Sequence, residues 1–297
     1  MSWKLKYISE DDFAKHVAAT ITQYDKKLLP FNIERFNSNF IDPVKMIFDK
    51  HVYQYSWEEL VGNEIFRQRD KSASNDIGYF HQRIFQYIEN CRVPQNGKEG
   101  GWDVIFHKDE GINLPDGDCV KTVYAEMKNK HNTMNSSSAG KTYIKMQNQL
   151  LQDDDCACFL VEAIAKKSQN VKWSTTVNGS SVSHKRIRRV SIDQFYALVT
   201  GSETAFYDMC MELPNTIEKV VSNDKSITIP RDTVFEELSV IANKMNFENH
   251  DLSMSMAIYM LGFSTYQGFQ QTIGLQGIDG DDNILKRLYA YAKGLDN

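Results

Sequence analysis

Gly101-Trp102-Asp103-Val104-Ile105-Phe106 and Thr122-Val123-Tyr124-Ala125-Glu126-Met127-Lys128 are two short runs rich in β-branched and aromatic residues. Between them lie Gly111, Asn113, Pro115, Asp116 and Gly117, which are turn residues. The pattern predicts two neighbouring strands joined by a loop. Side chains alternate along a strand, so Val123, Ala125 and Met127 form an apolar face and Tyr124, Glu126 and Lys128 the other. Asp103, at the start of the first strand, then faces Glu126 and Lys128 on the second. A polar run, Asn129-Lys130-His131-Asn132-Thr133-Met134-Asn135, follows at once.

Two readings of this trio are open. One is metal-assisted phosphodiester hydrolysis. Two carboxylates hold a hard cation that keeps several waters and takes a phosphate oxygen. A lysine beside it orients the attacking water and stabilises developing charge. The other is an exposed strand face with a cross-strand charge pair, worth at most about 1 kcal/mol.

Flanking motifs narrow the choice. They are Phe36-Asn37-Ser38-Asn39-Phe40-Ile41-Asp42-Pro43, Arg67-Gln68-Arg69-Asp70-Lys71-Ser72 with Asn75, Gly78-Tyr79-Phe80-His81-Gln82, and Glu126 to Asn135. In this order, from about Phe36 to Gly201, they resemble type II restriction endonucleases that cut GGNCC or GGWCC sites, the SinI-like and AvaII-like enzymes. Asp103…Glu126-x-Lys128 resembles the PD-(D/E)xK nuclease core, with Trp102 where the name-giving proline would stand.

The resemblance implies an α/β fold, a mixed β-sheet flanked by helices, with helical extensions at both ends. It implies Mg²⁺ (Mn²⁺ as substitute) bound by Asp103, Glu126 and the Met127 carbonyl, with Lys128 positioning water. A helix before the Asp strand often lends such sites a Glu or Gln, and Gln82 is the candidate; an ordinary surface residue is the alternative. The implied partners are double-stranded DNA, a second copy of the chain, and a DNA methyltransferase acting on the same site as a functional partner. Two alternatives stay open: a repair or recombination nuclease of the same fold, and a DNA-binding protein without catalysis.

Asn129, Lys130, His131, Asn132 and Asn135 leave the second strand directly and are expected on the DNA. Arg and Lys read guanine edges and Asn reads adenine. Arg67, Arg69, Lys71, Arg186 and Arg188, with Gln68 and Lys185 beside them, are therefore candidate contacts. The plain alternative for each basic cluster is a solvated loop or, for Arg67 to Arg69, a helix end suited to the dipole. The net charge of −5 speaks against nucleic acid as a sum, but the distribution of charge decides.

The chain has 297 residues, 41% of them apolar, enough for a sizeable core. No stretch approaches the roughly 18 apolar residues of a membrane span, and the N-terminus lacks an apolar signal core. The 5 cysteines are scattered, without zinc or redox spacing, and are expected as free thiols in a reducing cytoplasm.

Three consecutive regions are expected, together forming one unit: a mainly helical 1–76, a nuclease core 77–213 and a helical 214–297. Within them, a helix is expected from Ser74 or Asn75 to about Asn90, with Ser136–Gly140 a flexible turn. The next helix covers Lys141–Gln152, with Tyr143, Ile144, Gln147, Leu150 and Leu151 inward. Cys156–Ala165 reads as a central strand. Val171–Val177 and Val182–Val190 read as a hairpin turning at Asn178-Gly179. Helices are expected at Ile192–Val199, Ala205–Leu213, Pro230–Lys244, Leu252–Gly262 and Thr265–Ile273, the last two broken at Gly262. A helix-turn-helix around Met256–Ile273 is a weaker alternative.

Overall fold

The structure, a computed structural model, describes residues 3–27, 29–95, 98–223, 231–245, 247–264 and 284–294. Its six-stranded sheet has the order β1-β2-β3-β4-β6-β5. The strands are β1 (Cys91–Arg92), β2 (Val104–Asn113), β3 (Cys119–Lys130), β4 (Cys156–Ile164), β5 (Asn170–Val177) and β6 (Ser180–Ser191). β1, β2 and β3 pair antiparallel, β3 pairs parallel with β4 and β4 with β6, and β5 closes the edge antiparallel to β6. This is the expected mixed sheet. The β5–β6 hairpin turns where Asn178 and Gly179 both adopt positive φ, 49° and 80°, as a two-residue hairpin loop requires.

Helices cover both faces of the sheet. On one side are α1 (Glu10–Lys27), the end of α4 (Trp57–Arg83), α6 (Ile192–Thr200) and α7 (Ala205–Asn223). Phe13, Val17, Phe80, Phe195, Tyr196 and Met209 from these helices pack with Val104, Val123, Ala125, Phe159 and Val190 of the strands. On the other side lies α5 (Ser136–Gln152), whose Tyr143 and Met146 pack with Ile105, Cys158, Leu160, Trp173 and Ile187. Cys156 through Val161 of β4 form an apolar run that is covered on both faces and fully buried; Glu162 follows it.

The chain divides into two units, residues 1–24 with 74–227 and residues 25–73 with 228–297. This differs from three consecutive regions in one unit. The physical reason is the second core. Phe31, Ile33 and Phe36, the last two on α2 (Ile33–Ser38), pack with Trp57, Leu60, Val61 and Ile65 of α4 against Val234, Leu238 and Ile241 of α8 (Val234–Met245) and Met254 and Ile258 of α9 (His250–Phe263). Leu288 of α10 (Ile284–Ala292) and Met46 of α3 (Pro43–Val52) join them. Polar locks accompany this core: Asn37 Nδ2 donates to the Leu261 carbonyl at 2.7 Å, and Arg69 grips Asp232 with both guanidinium nitrogens, at 2.8 and 2.7 Å.

Three local expectations are corrected. No helix begins at Ser74 or Asn75, because α4 runs unbroken from Trp57 to Arg83. Ser136–Gly140 is the first turn of α5, capped by the Asn135 side chain, which accepts from Ser138 N. α7 continues through Pro214 to Asn223. α9 ends at Phe263, one residue past Gly262 and close to the expected helix end; a Cβ on Gly262 would lie 2.7 Å from Pro43 Cγ, so this glycine also permits a close helix contact. The expected helix at Thr265–Ile273, and with it much of the helix-turn-helix alternative, lies outside the described residues.

Candidate active site

Asp103 stands immediately before β2, its N–H donating to the Ala125 carbonyl at 3.0 Å. The register sets Val104 opposite Ala125, which brings Asp103 beside Glu126. Asp103 Oδ2 accepts from Met127 N at 2.7 Å and Oδ1 from Gln82 Nε2 at 3.0 Å. Gln82 is buried and reaches the site from the last turn of α4. Asn75, Gly78, Tyr79 and Gln82 recur at helical spacing, so one face of α4 lines a cleft whose other wall is Asp103 and Glu126 to Asn129.

Glu126 is held by two ammonium groups. Lys128 Nζ donates to Oε1 at 2.7 Å and Lys145 Nζ to Oε2 at 2.7 Å. Burial raises the Glu126 carboxyl, but the bonds from Lys128 and Lys145 outweigh it and hold the group below its ordinary range. Asp103 shifts the other way. Burial, and then the negative charge of Glu126, outweigh the Met127 N–H and raise it. The cleft thus holds two neighbouring carboxylates, of which only Glu126 is paired with cations. His81 also lines it. Burial, helped by the nearby His16, depresses this imidazole to about 4, and its Nδ1 has no hydrogen-bond partner among the described residues.

Among the described residues no group of three or more His, Cys, Asp or Glu side chains gathers as a ready metal cage. Two carboxylates with a nearby amide and backbone oxygens suit a hard cation that keeps much of its own water.

The residues expected on DNA have mixed placements. Lys71, Lys130 and Asn132 are exposed. Asn129 donates to the Ser74 carbonyl at 2.8 Å, Asn135 caps α5, and His131 Nδ1 lies 2.9 Å from Glu162 Oε2. Arg67 is exposed but forks onto Glu64 of its own helix. Gln68 and Arg69 are engaged by partners within the protein. Gln68 is 7% exposed and bonds the Phe36 carbonyl at 3.0 Å; Arg69 is committed to Asp232 and lies over the Phe31 ring.

The basic ribbon also has partners within the protein. Arg188 is 1% exposed, bound to Asp116 and to both the side chain and carbonyl of Asn170. Lys185 and Arg186 share Asp118. Two aspartates of the β2–β3 loop thus pair with three cations of the ribbon, a long-range pairing that local charge counts do not reveal.

Lys145 was not among the expected site residues. The expected α5 face was right at Tyr143, which is buried, and at Leu150, which packs on the core; Ile144, Gln147 and Leu151 are exposed, and Met146 is buried instead. With Tyr143 and Met146 inward, Lys145 and Gln149 form the adjacent i, i+4 row, which meets Trp102 and Glu126. Glu162 and Arg189, a buried pair beside the site strand, were also missed. Glu162 interrupts an otherwise apolar run, which was the available signal.

A cleft in a mixed sheet, with an Asp at the start of β2 meeting a Glu and a Lys of the neighbouring β3, defines a nuclease-like α/β enzyme. The sequence profile of the Eco47II restriction endonuclease family matches residues 5–222, and the chain belongs to that family. The type II restriction enzyme Sau96I of Staphylococcus aureus is 29% identical over 231 residues, covering 75% of this chain and 83% of that enzyme. The type II restriction enzyme Eco47II of Escherichia coli is 30% identical over 229 residues, covering 73% and 88%. The chain is accordingly a restriction endonuclease, a DNA-binding enzyme that cuts at specific sequences. Among the described residues no helix is long and apolar enough to cross a membrane.

Proposed function

We propose that the enzyme hydrolyses both strands of a GGNCC-type palindrome in a Mg²⁺-dependent reaction, with Mn²⁺ able to substitute. The observation that carries this reading is the meeting of Asp103 and Glu126 in the cleft, with Asp103 half-buried and held by Met127 N and the Gln82 amide. Such a carboxylate pair fits a divalent cation, and Asp103, Glu126 and the Met127 carbonyl would hold it. When bound, the cation would stabilise charge on the phosphate and lower the pKa of a bound water. Gln82 orients Asp103 through its amide, and Lys128, which has Glu126 as its ion-pair partner, orients the attacking water. The water oxygen joins phosphorus, the bond to the 3′ oxygen breaks, and the products are a 5′-phosphate and a 3′-hydroxyl. The GGNCC-type site follows from the motif resemblance, as does a methyltransferase that protects the same site.

Each chain carries one Asp103…Glu126-x-Lys128 set, and one set serves one strand. A two-fold homodimer on the palindrome supplies the second, since site symmetry mirrors protein symmetry. Lys71, Lys130 and Asn132 have the exposure that DNA contacts require. Plasmid digestion with Mg²⁺ tests the reading. Discrete fragments ending at GGNCC-type sites are expected; random nicking would favour a repair-type nuclease, and intact plasmid a binding protein. Light scattering of the DNA complex in Ca²⁺, which binds with looser geometry, is expected to find two chains of 34.2 kDa per duplex.

A further inference from the structure

The two lysines on Glu126 are anchored differently. Lys145 Nζ donates to the Gly101 carbonyl at 2.7 Å as well as to Glu126 Oε2 at 2.7 Å. Its ammonium also sits 4.1 Å from the centroid of the Trp102 ring. That ring is buried and is fastened to the same helix through Nε1, which donates to Gln149 Oε1 at 3.0 Å. A carbonyl, an aromatic face and a carboxylate therefore fix Lys145, each a favourable partner for an ammonium group. Lys128 Nζ has one bond within the site, to Glu126 Oε1 at 2.7 Å. Its stem rises from the strand that carries Glu126 itself, two residues away.

We infer that Lys145 is a positioning residue that permanently holds Glu126 Oε2, so that Oε1 is the oxygen Glu126 offers to a cation. Lys128 is then the lysine released towards the phosphate and its water. The inference rests on the metal-dependent reading of this cleft and extends it. It also accounts for Trp102, which stands where the proline of the related motif would be: the indole forms one wall of the Lys145 socket. Two equally mobile lysines would leave Glu126 free to present either oxygen, and small errors in the placement of catalytic groups slow reaction steeply.

The test uses the full chain carrying Lys145→Met, which keeps the length of the stem and removes the ammonium. Turnover at saturating Mg²⁺ is expected to fall at least about tenfold, with KM for plasmid nearly unchanged. Mn²⁺ binding to the protein without DNA, followed by calorimetry, is expected to tighten about threefold or more, because a cation that repels the metal is gone. Poorer turnover with tighter metal binding is a combination that mere loosening of α5 would not produce. Lys145→Arg keeps a donor to Gly101 and a cation over Trp102 and is expected to recover most of the turnover. Lys145→Gln is measured in parallel, so that a K145M chain that fails to fold does not decide the matter; it is expected to show the same two changes as K145M. Wild-type turnover in either K145M or K145Q would overturn the inference, as would weaker Mn²⁺ binding in a folded variant. Asp103→Ala separates the two claims. An inactive D103A beside a fully active K145M removes only the role of Lys145, whereas an active D103A removes the metal-site reading itself.

Discussion

Glu126 on β3 and Glu162 on β4 lie on the same face of adjacent parallel strands, Glu162 opposite Lys128 in the register, yet their surroundings differ. The Glu162 side chain is 1% exposed and saturated. Arg189 donates to its Oε1 through both Nε and an Nη nitrogen, while His131 Nδ1 sits at Oε2. Arg189 also donates to the His131 carbonyl at 2.9 Å, tying down the segment that leaves β3. Glu126 is 16% exposed and opens onto the cleft. Its partners are lysines, compact point charges that exchange partners more readily than a planar guanidinium fork. Two acids on one sheet face, one buried and one half-buried, thus have different surroundings. The arginine-bound one is closed and holds the backbone in place; the lysine-bound one is left able to accept a new cation.

The comparison is broken most directly by removing each acid. Asp103→Ala or Glu126→Ala is expected to abolish cleavage, by about 10³-fold or more, while specific DNA binding in Ca²⁺ persists or tightens because negative charge facing phosphate is lost. A plasmid digest together with a binding titration checks both halves, and measurable cutting at ordinary enzyme levels would defeat the assignment. Glu162→Ala should act on the fold instead. It leaves the half-buried Arg189 without its carboxylate, a change expected to destabilise by about 1.5–3 kcal/mol, which urea unfolding would register. Equal midpoints for wild type and variant would mean that Glu162 is not the clamp described.

The basic residues sharpen the same contrast between closed and open groups. Arg188→Ala is expected to lower stability by about 2–4 kcal/mol, since Asp116 and Asn170 lose a buried partner, and to leave the salt dependence of DNA binding unchanged. Lys130→Ala should leave stability alone and reduce the salt slope by about 1 if the residue meets a phosphate. The opposite pattern would return the β5–β6 ribbon to the DNA.

The smallest effect concerns the opposed carboxyl shifts. Asp103 is raised in the fold, so its contribution to stability is fully present below its unfolded pKa and is lost as pH rises through the folded value. Glu126 is depressed, so its contribution is present above its unfolded pKa and lost as pH falls through the folded value. At neutral pH, Asp103→Asn should therefore raise the melting temperature slightly, with Gln82 able to turn its amide to match, and Glu126→Gln should lower it. Thermal melts at neutral pH check the signs, and the same sign for both would contradict the electrostatic account.

Features carried by neighbouring residues were legible in the chain itself. Alternation placed Glu126 and Lys128 on one strand face and Val123 and Ala125 on the other, because the pleat has a period of two. The largely apolar run of β4, the Asn178-Gly179 turn and the placement of Gln82 on the helix before the Asp strand were likewise open to local reading. What required the folded chain was partnership over distance. Whether an arginine is free or neutralised depends on a loop far away in sequence, as Asp116 and Asp118 do for Arg188 and Arg186. Lys145 could not be read from its helix, because phase alone does not say which strand a helix face meets. The second core joined residues 25–73 to residues 228–297, since apolar stripes declare that they will be buried but only packing selects their partners.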